Sequence, residues 1–159
     1  MLTREGRSEE PARSWRVTGL HHVAYAHGAD DTPRLLADLF GVPAASEEPA
    51  EGFVERMLPV GESHLQLLEA TGPGVVGRFI ERRGPGLHHI ALEVSDLEEA
   101  IADLLRRGVR MVDNAPQPGG TGTSIAFIHP AATGGLLVEL VGPPQAGPAD
   151  REDQTAGRT

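Results

Sequence analysis

The string "GLHHVAYA" begins at Gly19, and "GLHHIALE" begins at Gly86. Two segments that open on the same four residues, a His pair included, read as an internal duplication. His22 and His89 are 67 residues apart, and "RLLADLFGV" (Arg34–Val42) lies the same distance from "IADLLRRGV" (Ile101–Val109). "FVERMLP" (Phe53–Pro59) matches "SIAFIHP" (Ser124–Pro130) at an offset of 71, and Gln66 falls against Glu139 at 73. Offsets that rise while the order holds indicate a duplication with loop insertions in the second copy. Each copy is too small to bury its own faces well, so the two copies are expected to pack together.

The second copy is the clearer one. "HHIALEV" takes on strand alternation toward its end. "SDLEEAIADLLRRG" is an amphipathic helix with Ser95 at the N-cap, Glu98 at capping-box spacing and Gly108 as the stop. Leu97, Ile101, Leu104 and Leu105 share one face of that helix. "VRMVD", "TSIAFIH" and "GLLVELV" read as strands between Pro- and Gly-rich turns. The first copy repeats the plan, with a weaker helix whose apolar positions are Leu35, Leu36, Leu39 and Phe40 and with Pro33 near its start. "VVGRFIERRG" reads as a short linking helix, weakened by Gly77. The fold class is α+β, built from tandem βαβββ modules. The expected boundaries are a disordered tail over 1–16, one domain over 17–144 and a disordered tail over 145–159. Within the domain, module one spans 17–72, the linking helix 73–84 and module two 85–144.

Two-fold pseudo-symmetry brings equivalent positions together around its axis. The first strands offer His22 and His89; the last strands offer Gln66 and Glu139, polar groups that interrupt otherwise apolar strands at matching places. Burying such groups unpaired costs a few kcal/mol each, and a divalent cation satisfies all four. For either His alone, a hydrogen-bonded core residue is the better reading. The matched set of four turns the balance toward a metal site. His21 and His88 should point to the opposite sheet face, as supporting or packing residues. His27, His64 and His129 have no paired counterpart.

One carboxylate breaks the symmetry. Glu55 aligns with Ala126 and shares a strand face with Phe53 and Met57. It is either exposed on an edge strand or functional, and a nearby metal site favours function, since a carboxylate beside a Lewis acid can remove a carbon-bound proton.

Bulk properties narrow the partners. The formal net charge is −9 with no basic block, which argues against nucleic acid. No apolar run reaches the ~20 residues of a membrane span, and no signal peptide is evident at the start. Cysteine is absent, so disulfides and thiolate metal sites are excluded and a cytoplasmic location is expected.

The strings "HHVAYA", "LPVGESHLQLLEATGP", "RFIERRGPGLHHIALEVSDLEEAI" and "FIHPAATGGLLVELV" resemble the vicinal oxygen chelate (glyoxalase/bleomycin resistance) superfamily and, within it, the methylmalonyl-CoA epimerases. The resemblance runs from Leu20 to Pro143. It implies a curved sheet around a metal held by the first and last strands, with ligands at His22, Gln66, His89 and Glu139. It also implies a catalytic glutamate at Glu55 and a second catalytic role at Glu139, although a cation-bound carboxylate is a weakened base. The implied reaction interconverts (R)- and (S)-methylmalonyl-CoA by proton transfer at the α carbon through an enolate. Cobalt is the first expectation for the metal, with manganese, nickel, iron or zinc as alternatives. The expected partner is an acyl-CoA substrate, and the expected assembly a homodimer. Three features depart from the family pattern: about three residues fewer between His22 and Glu55, "LLADLF" in place of an aromatic pair, and Ala131 where a Lys is usual. Arg78, Arg82, Arg83 and Arg110 could meet CoA phosphates, but a solvated helix face is the default reading for arginine. The rival readings are a glyoxalase I-like isomerase, which usually carries Glu at the position of Gln66, and a non-catalytic binding or resistance protein on the same fold.

Overall fold

Alternation of side chains along the doubled "GLHH" segments produces the two central strands, and everything else is arranged about them. The computed structural model describes residues 13–143 apart from 31, 44 and 45. The elements are β1 (Val17–His27), α1 (Thr32–Phe40), β2 (Ser46–Ala50), β3 (Phe53–Val60), β4 (Ser63–Ala70), α2 (Val75–Arg83), β5 (Gly86–Val94), α3 (Leu97–Arg106), β6 (Gln117–Pro118), β7 (Ser124–Ile128) and β8 (Leu137–Val141). They form one eight-stranded sheet in the order β2-β3-β4-β1-β5-β8-β7-β6. β1 and β5 are antiparallel neighbours, flanked by parallel β4 and β8 respectively. Their register pairs His22 with Ala91, Val23 with Ile90 and Ala24 with His89. Ala91 and Ile90 are the repeat counterparts of Ala24 and Val23, so a local two-fold axis passes through the Val23–Ile90 pair.

The sheet is strongly curled into a half-barrel. Laid flat, eight strands would put the two edges roughly 34 Å apart. Here Ser46 and Glu48 of edge strand β2 line the same cavity as Gly120 and Ile125 from the opposite edge. A Cβ at Gly120 would stand 4.0 Å from Glu48 Oε2. The twist and curl of the strands therefore wrap the concave face around a shared space.

On the convex face α3 packs Leu97, Ala100, Ile101 and Leu104 against Ala126, Ile128, Val138 and Leu140. Each large apolar side chain buried there contributes roughly 1.5–3 kcal/mol. Leu105, expected on the packed face, is 40% exposed, and Ala100 takes its place in the i, i+3, i+4, i+7 set. The N-cap is Asp96 rather than Ser95: Glu99 N–H donates to Asp96 Oδ1 at 2.9 Å. The i, i+3 spacing is kept, one residue later, because Ser95 Oγ instead accepts from Arg16 N–H at 3.1 Å. Gly108, at φ 73°, ends the helix as expected.

The first-module helix behaves differently. Leu35, Leu39 and Phe40 of α1 are 56%, 66% and 68% exposed, so its apolar face is turned to solvent instead of capping the sheet. The linking helix α2 forms despite Gly77, and the glycine itself has a steric reason: a Cβ there would approach the Gly72 carbonyl oxygen to 2.8 Å.

Two further expectations are corrected. "VRMVD" does not form a ladder strand; Met111 makes a single bridge to Ile128. Val112 N–H and Asp113 N–H both donate to the Phe127 carbonyl, which leaves no room for regular pairing. The outer strand shrinks to Gln117–Pro118, where proline lacks a donor to extend it. Residues 1–12 of the first expected tail and all of the second, 145–159, lie outside the described residues, but 13–16 do not behave as tail. Trp15 is 7% exposed within the α3 cluster, and its indole N–H donates to Asp103 Oδ2 at 3.0 Å. Trp15→Ala should lower the unfolding free energy by roughly 3 kcal/mol, read as a shifted urea midpoint by circular dichroism. An unchanged midpoint would return Trp15 to the tail.

Candidate metal centre and active site

Because β1 and β5 run antiparallel about the axis, His22 and His89 project from the two central strands toward each other. Their Nε2 atoms are 2.9 Å apart. From β8, Glu139 Oε2 lies 3.0 Å from His89 Nε2 and 3.6 Å from His22 Nε2. All three side chains are buried. One ligand atom from each falls within 4.8 Å of the others, the arrangement expected of groups that hold a metal ion. Donors bound at ~2.1 Å in neighbouring coordination positions stand about 3.0–3.4 Å apart, which is close to these separations.

Gln66 completes the candidate set. It is buried on β4, lines the same cavity, and its Oε1 has no hydrogen-bond partner. An orphaned buried amide oxygen beside two imidazoles and a carboxylate is a donor set suited to a divalent cation. Burial lowers the pKa of both His22 and His89 to about 4, although Glu139 opposes this at His22. Both rings are therefore neutral at pH 7, and their contacts with Glu139 are not ion pairs. Burial also raises the pKa of Glu139, against a smaller lowering by His22. Two neutral imidazoles, a carboxylate and an amide oxygen converge with no positive charge among them, which favours cation binding.

His21 and His88 are not on the far face of the sheet. Leu20 pairs with Leu92 but His22 with Ala91, so His21 is an inserted residue; Ala24 pairs with His89 but Tyr25 with Leu87, so His88 is one too. These symmetric β-bulges turn both rings toward the cavity. His21 Nδ1 lies 2.8 Å from His22 Nδ1, and His88 Nδ1 lies 2.9 Å from His89 Nδ1. Each neighbour thus holds the far nitrogen of a candidate ligand ring and directs its Nε2 at the cluster. The doubled "HH" was visible in the sequence. The bulge that puts both rings on one side was not, since strand periodicity sends adjacent residues to opposite faces.

Glu55 lies on the concave face with Phe53 and Met57, in a cavity of about 280 Å³ that also receives Leu68 and Phe127. It is half-buried, and desolvation raises its pKa. The Gln66 side-chain amide donates to it and opposes that rise, while the charges of Glu48 and Glu139 reinforce it. Its repeat partner is not Ala126. Met57 pairs with Gln66 and Phe127 with Glu139, so β3 and β7 correspond at an offset of 70 and Glu55 matches Ile125. Ala126 faces the opposite way, into the α3 core. A one-residue slip reverses the face, and only the register detects it. Glu48, opposite Glu55 on β2, is a third cavity-lining carboxylate, beside Glu55 and Glu139, that sequence reading passed over. His27, His64 and His129 stand outside the His22–His89–Glu139 cluster.

Residues 21–127 match the family model of the Glyoxalase/Bleomycin resistance protein/Dioxygenase superfamily. A mitochondrial methylmalonyl-CoA epimerase of Dictyostelium discoideum is 30% identical over 76% of this chain and 76% of its own length. The crystal structure of methylmalonyl-CoA epimerase from Mycobacterium tuberculosis superposes with a TM-score of 0.76 at 34% identity, covering 84% of this chain and 92% of that one. A variant of the Streptomyces coelicolor methylmalonyl-CoA epimerase, in complex with 2-nitronate-propionyl-CoA, gives 0.76 at 33% identity over 82% and 98% of the two chains. The chain belongs to the Glyoxalase/Bleomycin resistance protein/Dioxygenase superfamily and, within it, to the methylmalonyl-CoA epimerase family.

Proposed function

We propose that this protein is a methylmalonyl-CoA epimerase that interconverts the (R) and (S) thioesters by proton transfer at the α carbon. The observation that carries the reading is Glu55, a carboxylate of raised pKa facing the same cavity as the His22–His89–Glu139 cluster and Gln66. In this reading His22, Gln66, His89 and Glu139 hold a divalent cation, with cobalt proposed first. When bound, the cation supplies Lewis-acid stabilisation of negative charge on the substrate oxygens.

The chain's own groups account for the proton. Burial makes Glu55 a stronger base than an exposed carboxylate, and it takes the α proton from one face of the substrate. The amide of Gln66 orients the Glu55 side chain, so one residue serves both the metal and the base. The resulting enolate is planar at the α carbon, and a proton delivered to its other face inverts the centre. Glu139, across the cluster, is the proposed second acid, and the proton it delivers would be carried on the carboxylate oxygen that does not hold the cation. Phe53, Met57, Leu68 and Phe127 exclude water around the substituent. A non-catalytic binding protein has no need of this donor set. A glyoxalase I-like isomerase is disfavoured by an amide at Gln66.

Glu55→Gln should cut α-deuterium exchange from methylmalonyl-CoA by at least about 100-fold with metal content unchanged; full exchange removes Glu55 from the mechanism. Chelation should abolish exchange, and added cobalt should restore it. Absence of exchange in the metal-replete wild type rules against the epimerase. Replacing His21 or His88 by Ala should weaken cobalt binding by about 10–100-fold in a competition titration, because the ligand rings lose the partners that orient them.

We also propose a homodimer, supported by the exposed Leu35, Leu39 and Phe40 face of α1. Sedimentation should report a dimer, and Leu39→Glu with Phe40→Glu should dissociate it; a wild-type monomer overturns this.

A further inference from the structure

Equivalent residues of the two modules stand on opposite sides of the local two-fold axis. Glu55 on β3 therefore has its counterpart, Ile125 on β7, across the cavity, and both line it. Where the first module presents a carboxylate, the second presents an apolar wall. Ile125 does not serve the convex core. Ala126 and Ile128, its neighbours of opposite parity on β7, enter the α3 cluster, while Ile125 faces the concave side. The strand is paired on both sides at this residue, with Val141 of β8 and with Gln117 of β6. Gly119 closes over the side chain from behind. Its N–H donates to the Thr123 carbonyl at 2.9 Å, and a Cβ at Gly119 would come within 2.7 Å of Ile125 Cγ2. A residue without a side chain is needed for the backbone to approach that methyl so closely. A β-branched side chain is already stiff at χ1, so Ile125 has little room to swing aside for a bulkier ligand.

We propose that Ile125 sets the size of the α substituent this protein accepts, as the wall met by the substituent of the epimer whose proton Glu55 removes. The proposal rests on the epimerase reading of the cavity. With the α hydrogen turned to Glu55, two of the other three bonds carry the thioester and carboxylate groups, whose oxygens that reading directs to the His22–His89–Glu139 cluster. The third bond carries the substituent. It projects away from Glu55, across the axis, to the side where Ile125 stands. An apolar wall accepts a methyl group there and resists a longer chain, and each added methylene is worth about 10–200-fold in specificity against a fixed surface. An ordinary packing role does not account for a side chain turned out of the α3 core, backed by a glycine and set opposite the base.

The test compares kcat/KM for methylmalonyl-CoA with kcat/KM for propylmalonyl-CoA. Wild-type protein should prefer the methyl ester by at least about tenfold, and Ile125→Ala should cut that preference at least about fivefold. A general loosening of the strand slows both esters alike and leaves the ratio in place. Ile125→Val, which removes a single methylene, should move the ratio in the same direction by less, and it carries the test should the alanine variant fail to fold. An undiminished preference in the variants, or none in the wild type, overturns the role of Ile125 while leaving the epimerase reading intact. A wild type inactive on both esters overturns the activity instead, and calorimetric titration with the two esters then decides the wall. Affinity for the propyl ester gained relative to the methyl ester in Ile125→Ala upholds it; an unchanged ratio overturns it.

Discussion

The antiparallel pairing of β1 with β5 about Val23 and Ile90 is the constraint on which the remaining structure depends. It converts a repeat along the chain into a two-fold arrangement in space. With that register, His22 and His89 stand on either side of the axis with their Nε2 atoms in contact, and the outer parallel strands deliver Gln66 and Glu139 from either side. A shift of one residue in this single pairing would turn both imidazoles away from the concave face. The paired bulges at His21 and His88 are part of the same device, since each sits beside the histidine it orients.

Burial then defines the chemistry available. Water is excluded from His22 and His89 strongly enough to keep both imidazoles neutral, and the same exclusion raises the pKa of Glu139 and Glu55. A cluster of unprotonated donors around a reluctant carboxylate is costly by itself and is relieved by a cation. Glu55 stands apart from that cluster, accepts from the Gln66 amide and faces the cavity.

The departures from symmetry are as informative as the symmetry. On β3 and β7 equivalent positions carry Glu55 and Ile125, so at this position only the first module presents a carboxylate to the cavity. On the convex face α3 covers the sheet of the second module, whereas α1 presents Leu35, Leu39 and Phe40 outward. The duplication supplied a scaffold for the His22–His89–Glu139 cluster, and divergence between its halves set Glu55 apart from it.

Much of this was legible in the chain itself. The repeat gave the module order, the α+β class and the positions of His22, Gln66, His89 and Glu139, because a duplicated sequence carries its pairing partner with it. Side-chain parity along β3 also placed Glu55 on the face of Phe53 and Met57. What the chain could not declare depended on contacts between distant segments. Trp15 reads as tail until it meets Asp103; Ser95 reads as a cap until Arg16 occupies it; His21 and His88 read as outward-facing until two bulges reverse them. Local periodicity fixes which residues share a face, but the register between strands fixes what each face meets, and register is a property of the assembled sheet alone.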